Sequence, residues 1–268
     1  MMNKQIMACV LTLIFTQSSQ ATPCQTTREF ITALEFLRSD SDFKPPEAEA
    51  RDLALKVAEG CSGSARRFIR VAKALSSAGS TRKDASRIAL KFSKGSDAET
   101  DAFSSVFRKS IAEDSLDLDL DSALKIALSL SKGFSGNLTK VRDDYEKLVD
   151  YCSNSTNLGL PRAQCGSFAA RIVSASEKWE DGVALPFITS FEYLKSEKGP
   201  ALIMADALRL AEDLSKQGPS AHENFAQAYQ YALSSSGLGL TRDEAIKFAR
   251  KISKTAEPKK SQENKSSH

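Results

Sequence analysis

Most of the residues that announce chemistry are scarce in this chain. Its 268 residues include two histidines, one tryptophan and five cysteines. His222 stands in "AHENF", which lacks the second histidine of a zinc-protease helix, and His268 is the last residue. No Cys-x-x-Cys pair is present, so the commonest cysteine metal site is excluded. No Gly-x-Ser-x-Gly nucleophile elbow occurs either. Aromatics make up 7% and β-branched runs are few, while alanine, leucine, serine and lysine are abundant, a balance that favours helices over strands. The formal charge of +3 is too close to neutral to point to nucleic acid, and no nucleic-acid partner is expected. Beyond the first residues no apolar run is long enough to cross a bilayer, and no cofactor is expected.

The N-terminus, by contrast, carries a pattern. Lys4 precedes the mostly apolar run Ile6 to Phe15, and Ser19-Gln20-Ala21 supplies the small residues that a signal peptidase needs. Residues 1–21 read as a secretory signal cleaved after Ala21, which places the chain in the periplasm or outside the cell. An uncleaved anchor or a buried first helix is the alternative. Neither Cys9 nor Cys24 has the surroundings of a lipid-attachment cysteine.

The rest of the chain repeats. "GLGLTRDEAIKFARKISK" (237–254) resembles "NLGLPRAQCGSFAARIVS" (157–174), and "EFITALEFLRS" (29–39) recurs as "PFITSFEYLKS" (186–196). An aromatic opens each unit at Phe30, Phe68, Phe103, Tyr145, Phe187 and Phe225. A small residue opens the core face of the unit's second helix at Ala50, Ala85, Ala123, Cys165, Ala207 and Ala245. Units recur every 35 to 42 residues, the range of helical solenoids. In the last unit Phe225, Ala228, Tyr231 and Ala232, then Ala245, Phe248, Ala249 and Ile252, are the expected inward positions.

The expected fold is all-α: an α-solenoid of about six antiparallel helix pairs, a curved superhelical rod over residues 22–256. Its units lie near 24–63, 64–97, 98–136, 137–176, 177–220 and 221–256, and a disordered polar tail follows at 257–268. The layout is similar to that of tetratricopeptide repeats, although unit length and signature residues differ, and the likeness carries no function. The glycines of "SSSGLGLTRDEA" (234–245) fit an elbow between two helices. A dinucleotide loop needs a preceding strand and a third glycine. Thr241 and Glu244 form a capping-box pattern, with Leu240 as staple; Leu118, Leu160 and Leu202 stand in its place in other units.

Removal of the signal leaves Cys24, Cys61, Cys152 and Cys165. The hairpin register brings Cys24 to Cys61 and Cys152 to Cys165, each bridge contributing on the order of 3 kcal/mol; buried free thiols are the alternative. "DLDLDS" (117–122) fails as a calcium loop because Leu128 holds the twelfth position, and helix capping accounts better for its aspartates. Asn137 and Asn154 stand in glycosylation sequons. No metal site and no catalytic constellation is expected.

One surface is patterned. Three columns of the second helices are each basic in four units of six, and they share one helix face. The resulting stripe comprises Arg87, Lys91, Lys94, Lys125, Lys132, Arg171, Arg209, Lys247 and Lys251, most continuous from Arg87 to Lys132. It is either a face for an anionic partner or a set of solvated cations favoured by helix C-termini. The expected function is an exported, non-enzymatic binding or scaffolding protein that holds a protein or an anionic cell-envelope polymer. An enzyme or accessory domain acting on cell-wall polymer, or an exported inhibitor, is the alternative.

Overall fold

The computed structural model of the chain describes residues 26–132, 137–174, 182–218 and 220–255. The expected signal segment 1–21, Cys24 and the expected tail 257–268 lie outside the described residues. Among those described, every regular element is a helix. In order these are α1 (Thr26–Ser39), α2 (Glu47–Ala58), α3 (Ser64–Ser77), α4 (Arg82–Ser93), α5 (Asp97–Ile111), α6 (Leu120–Ser131), α7 (Leu138–Ser153), α8 (Arg162–Val173), α9 (Ala184–Lys195), α10 (Met204–Ser215), α11 (Ala221–Leu233) and α12 (Arg242–Thr255).

Local sequence starts these helices where it should. Thr81, Ser96, Asp119 and Asn137 each accept a backbone N–H from the first turn of α4, α5, α6 and α7, which contributes about 1 kcal/mol per cap. At α12 the Glu244 carboxylate reaches back to the Thr241 N–H at 3.0 Å. Side-chain spacing then fixes the buried face. In α3 the residues Ala65, Phe68, Val71, Ala72 and Leu75 turn inward, and Arg66, Arg70 and Lys73 turn to water.

Consecutive helices pair: α1 with α2, α3 with α4, and so on to α11 with α12. Each odd-numbered helix also packs against the next odd-numbered one, from α1–α3 through α9–α11. The repeated aromatics sit in this seam. Phe68, Phe103, Tyr145, Phe187 and Phe225 are fully buried, and Phe30 is half-buried against the core. All six small residues that open the second helices are buried as well, from Ala50 to Ala245. A larger side chain there would force the paired helices apart.

Four of the connections between paired helices share one backbone path. The N–H groups of Leu118, Leu160, Leu202 and Leu240 donate to the carbonyls of Ser110, Cys152, Leu194 and Ala232, eight residues earlier, at 2.8–3.2 Å. The residue before each leucine has positive φ: Asp117, Gly159, Ala201 and Gly239. Glycine takes that conformation without strain, and the other two residues hold it because the elbow around them is otherwise the same. Gly237 is needed for a second reason, since a Cβ there would stand 2.0 Å from the Tyr231 carbonyl oxygen.

Buried charges tie neighbouring pairs together. The Glu29 carboxylate on α1 accepts from the Gly63 and Ala65 N–H groups at 3.0 and 2.8 Å and so caps the start of α3. Asp144 on α7 accepts from the Val183 N–H at 2.7 Å at the start of α9. Burial pushes the Asp144 carboxyl above the usual carboxylate range, although that hydrogen bond and Lys140 oppose the shift. Arg67, also buried, donates to the carbonyls of Ser93, Gly60 and Ser62 and meets Asp97 at 3.3 Å. Arginine clamps recur in alternate pairs. Arg82, Arg162 and Arg242, each at the start of a second helix, donate to the carbonyls of Lys44, Glu113 and Ala201 in the preceding unit.

In the last unit the expected inward positions change. Tyr231 is 57% exposed and Tyr229 is buried in its stead. Tyr229 lies four residues after Phe225 and on its face, whereas Tyr231, six residues on, is carried round to the far side of the helix. Ile252 is 39% exposed at the edge of the apolar stripe of α12, the last described helix.

Candidate functional site

The nine stripe residues all lie on even-numbered helices or at their C-terminal ends, and their surroundings differ. Arg87 donates to Asp84 at 3.0 Å, one turn back on α4. Lys94 reaches Glu59 at the end of α2, at 2.8 Å. Lys132 stands 4.9 Å from the centre of the Phe92 ring, a cation–π contact between neighbouring units. Arg171 makes a two-pronged pair with Glu212 of α10, both bonds 3.0 Å. Burial alone would raise the Glu212 carboxyl, but bonds from Lys216 and Arg171 hold it below the usual range. Neutralisation of Lys94 and Arg171 therefore comes from the second helices of adjacent units, not from the first helices. Lys91 and Lys125 are exposed and have no ion-pair partner among the described residues. The run from Arg87 to Lys132 is thus interrupted by internal partners.

The other end of the stripe is built differently. Between α10 and α12 runs a groove of about 310 Å³ with Leu202, Leu210 and Ile246 among its lining residues. Asp206 and Asp243 stand on it, near the starts of the two helices, with Arg209, Lys247 and Arg250. Lys247 and Arg250 also border a second hollow of about 300 Å³, which Lys251 and Lys254 complete. Arg250 donates to Asp213 of α10 at 3.1 Å. Lys247, Lys251 and Lys254 have no ion-pair partner among the described residues and follow one face of α12. Arg242 ties the start of that helix to the α9–α10 elbow through the Ala201 carbonyl at 2.7 Å. The arrangement offers ammonium groups beside an apolar floor.

Two further hollows lie elsewhere, one of about 350 Å³ beside Arg108, Lys109 and Glu146 and one of about 250 Å³ whose Arg66, Arg67 and Arg70 are paired with Asp97 and Asp101. The Cys152 and Cys165 sulfurs are 2.11 Å apart across the α7–α8 elbow. Cys61 is not a free thiol, and its expected partner Cys24 lies outside the described residues. No cluster of three or more His, Cys, Asp or Glu side chains converges among the described residues. Asp119 spends its carboxylate on the Ser122 N–H and hydroxyl, at 2.9 and 2.7 Å. Burial between α9 and α11 pushes the His222 imidazole below its ordinary pKa, its ring edge-on to Tyr193. Asn137 caps α7, and the Asn154 side-chain oxygen accepts from the Thr156 N–H at 2.9 Å. No described helix is long and apolar enough to cross a membrane.

The sequence reading missed Glu29, Arg67 and Asp144, because a charge inside an otherwise apolar face gives no hint of which backbone groups it meets. It also missed the arginine clamps. Their signal was there, since Arg82, Arg162 and Arg242 recur at equal spacing, each three residues before a small core residue. No protein-family model, curated protein or solved structure matches the chain.

Proposed function

We propose that this chain is an exported, non-enzymatic binding or scaffolding protein that holds a protein or an anionic cell-envelope polymer on the outer face of a curved helical array. In this reading the six helix pairs form an α-solenoid. The odd-numbered helices, packed against one another along the series, line its inner side, and the basic columns of the even-numbered helices face outward. The observation that carries the reading is the set of lysines without internal partners, Lys91 and Lys125 in the middle and Lys247, Lys251 and Lys254 at the end. Lys94 and Arg171 of the same columns, by contrast, meet carboxylates of neighbouring units. A cysteine pair at disulfide distance supports an oxidising compartment.

Two measurements test this. Intact mass of the exported protein is expected to show a chain that begins at Thr22; retention of residues 1–21 would contradict export by a cleaved signal. A pull-down from the periplasmic or extracellular fraction is expected to retain an acidic partner at low salt and release it at high salt, because exposed charges are screened beyond about 8 Å at physiological ionic strength. Capture that is indifferent to salt, or that survives K91E, K125E, K247E and K251E together, would leave the lysines as solvated surface.

A further inference from the structure

We propose that the groove between α10 and α12 docks an acidic polypeptide segment of a partner protein. Apolar side chains of the segment lie over Leu202, Leu210 and Ile246, and its carboxylates meet Lys247, Lys251 and Lys254. The inference rests on the reading of the chain as a binding protein and names the site and the ligand class.

The charge comes first. Lys247, Lys251 and Lys254 sit at i, i+4 and i+7, so three ammonium groups share one helix face. Like charges at such spacing cost a few tenths of a kcal/mol per pair in a helix. Glu244, one turn before Lys247, senses its charge, but no carboxylate among the described residues comes within ion-pair distance of any of the three, and the cost between Lys251 and Lys254 stands. An incoming acidic group would remove it, and two or three in register would do so together.

The floor selects the chemistry. A phosphodiester or uronic-acid polymer has charge along its whole length and little to place against two leucines and an isoleucine. A polypeptide alternates such groups freely. Asp206 and Asp243 add discrimination, because they stand near the starts of α10 and α12 while Lys251 and Lys254 lie towards the end of α12. A continuous polyanion laid along the groove would meet these carboxylates, whereas a peptide with its acids confined to one end would not. Ile203, 70% exposed and next in the chain to Leu202, extends the apolar surface available. The chain's own last residues are poor occupants by charge, since Lys259, Lys260 and Lys265 outnumber Glu257 and Glu263.

The test uses the full chain and a labelled synthetic peptide, LSLSLGDDSD, which has leucines at one end and aspartates at the other. Fluorescence anisotropy is expected to show saturable binding that K247E/K251E weakens about tenfold or more and K91E/K125E changes by no more than about twofold. Peptides with asparagine for aspartate, or serine for leucine, are each expected to bind at least about fivefold more weakly. Circular dichroism of both variants checks that helix content is kept. Equal loss in the two variants would overturn the groove and leave the wider basic surface as the binding face. Undiminished binding of the serine peptide, or tighter binding of inorganic polyphosphate than of the peptide, would overturn the polypeptide class in favour of a polyanion. Sedimentation that shows a dimer dissociated by K247E/K251E would make the occupant a second copy of this chain. No binding of the acidic peptide would overturn the inference, and failure of polyphosphate as well would count against the binding reading itself.

Discussion

Lys94 and Lys254 occupy the same column of the repeat and have opposite fates. Lys94 at the end of α4 meets Glu59 at the end of α2, while Lys254 near the end of α12 has Lys216 in the equivalent neighbouring place, and Lys216 is already held by Glu212. Outside that column the two regions also differ, although among the described residues Lys91 in the first is unpaired and Arg250 in the second is paired with Asp213. In the N-terminal half, Arg67 is buried among carbonyls and Arg66 and Arg70 pair with Asp97 and Asp101. At the C-terminal end, Lys247, Lys251 and Lys254 surround a hollow. A basic column is therefore paired within the fold where the adjacent unit supplies an acid and left unpaired where it does not.

The contrast breaks most visibly at Arg67. Arg67→Ala leaves the Ser93, Gly60 and Ser62 carbonyls without their guanidinium donor, although Asp97 keeps Arg66, and is expected to lower unfolding stability by about 2–3 kcal/mol in urea titrations. A change below 1 kcal/mol would show that burial of this charge contributes little. Joint replacement of Cys152 and Cys165 by serine is expected to cost about 2–3 kcal/mol, read as a lower thermal midpoint, because the cross-link across the α7–α8 elbow is lost. Arg242→Ala removes one charged hydrogen bond to the Ala201 carbonyl and is expected to cost about 1 kcal/mol and to loosen the α10–α12 groove.

Smaller effects sharpen the comparison. Lys94→Ala is expected to destabilise by under about 1 kcal/mol, and Lys251→Ala to be neutral or slightly stabilising, within about 0.5 kcal/mol. A reversed order in denaturant midpoints would mean that the two regions do not differ. His222 gives a pH-dependent check at the C-terminal end. Its folded pKa is depressed by burial, so its contribution is full above the ordinary histidine pKa of about 6.5 and is lost as pH falls through the depressed value. Stability is expected to fall on acidification below neutrality, and His222→Gln to flatten that slope; an unchanged slope would contradict the assignment.

The sequence carried the helical class because the 3.6-residue apolar period is local, and it placed the buried aromatic and small columns because they recur in phase. It erred at Tyr231, where a position six residues along was grouped with those at three and seven although helix geometry puts it on another face. The stripe was legible as a list of residues, but its division was not. Whether Lys94 or Lys251 finds a carboxylate depends on which second helix lies alongside, a contact about 35 to 40 residues away in the chain. The groove was invisible for the same reason, since Leu202 and Ile246 are brought together only by packing between units.

Hydrogen–deuterium exchange of the full chain, with and without the saturating acidic peptide, tests the contrast most directly. The account predicts slowed exchange at residues 202–214 and 243–254 and none at 82–94 or 120–131. Protection on α4 and α6, with α10 and α12 unchanged, would contradict it.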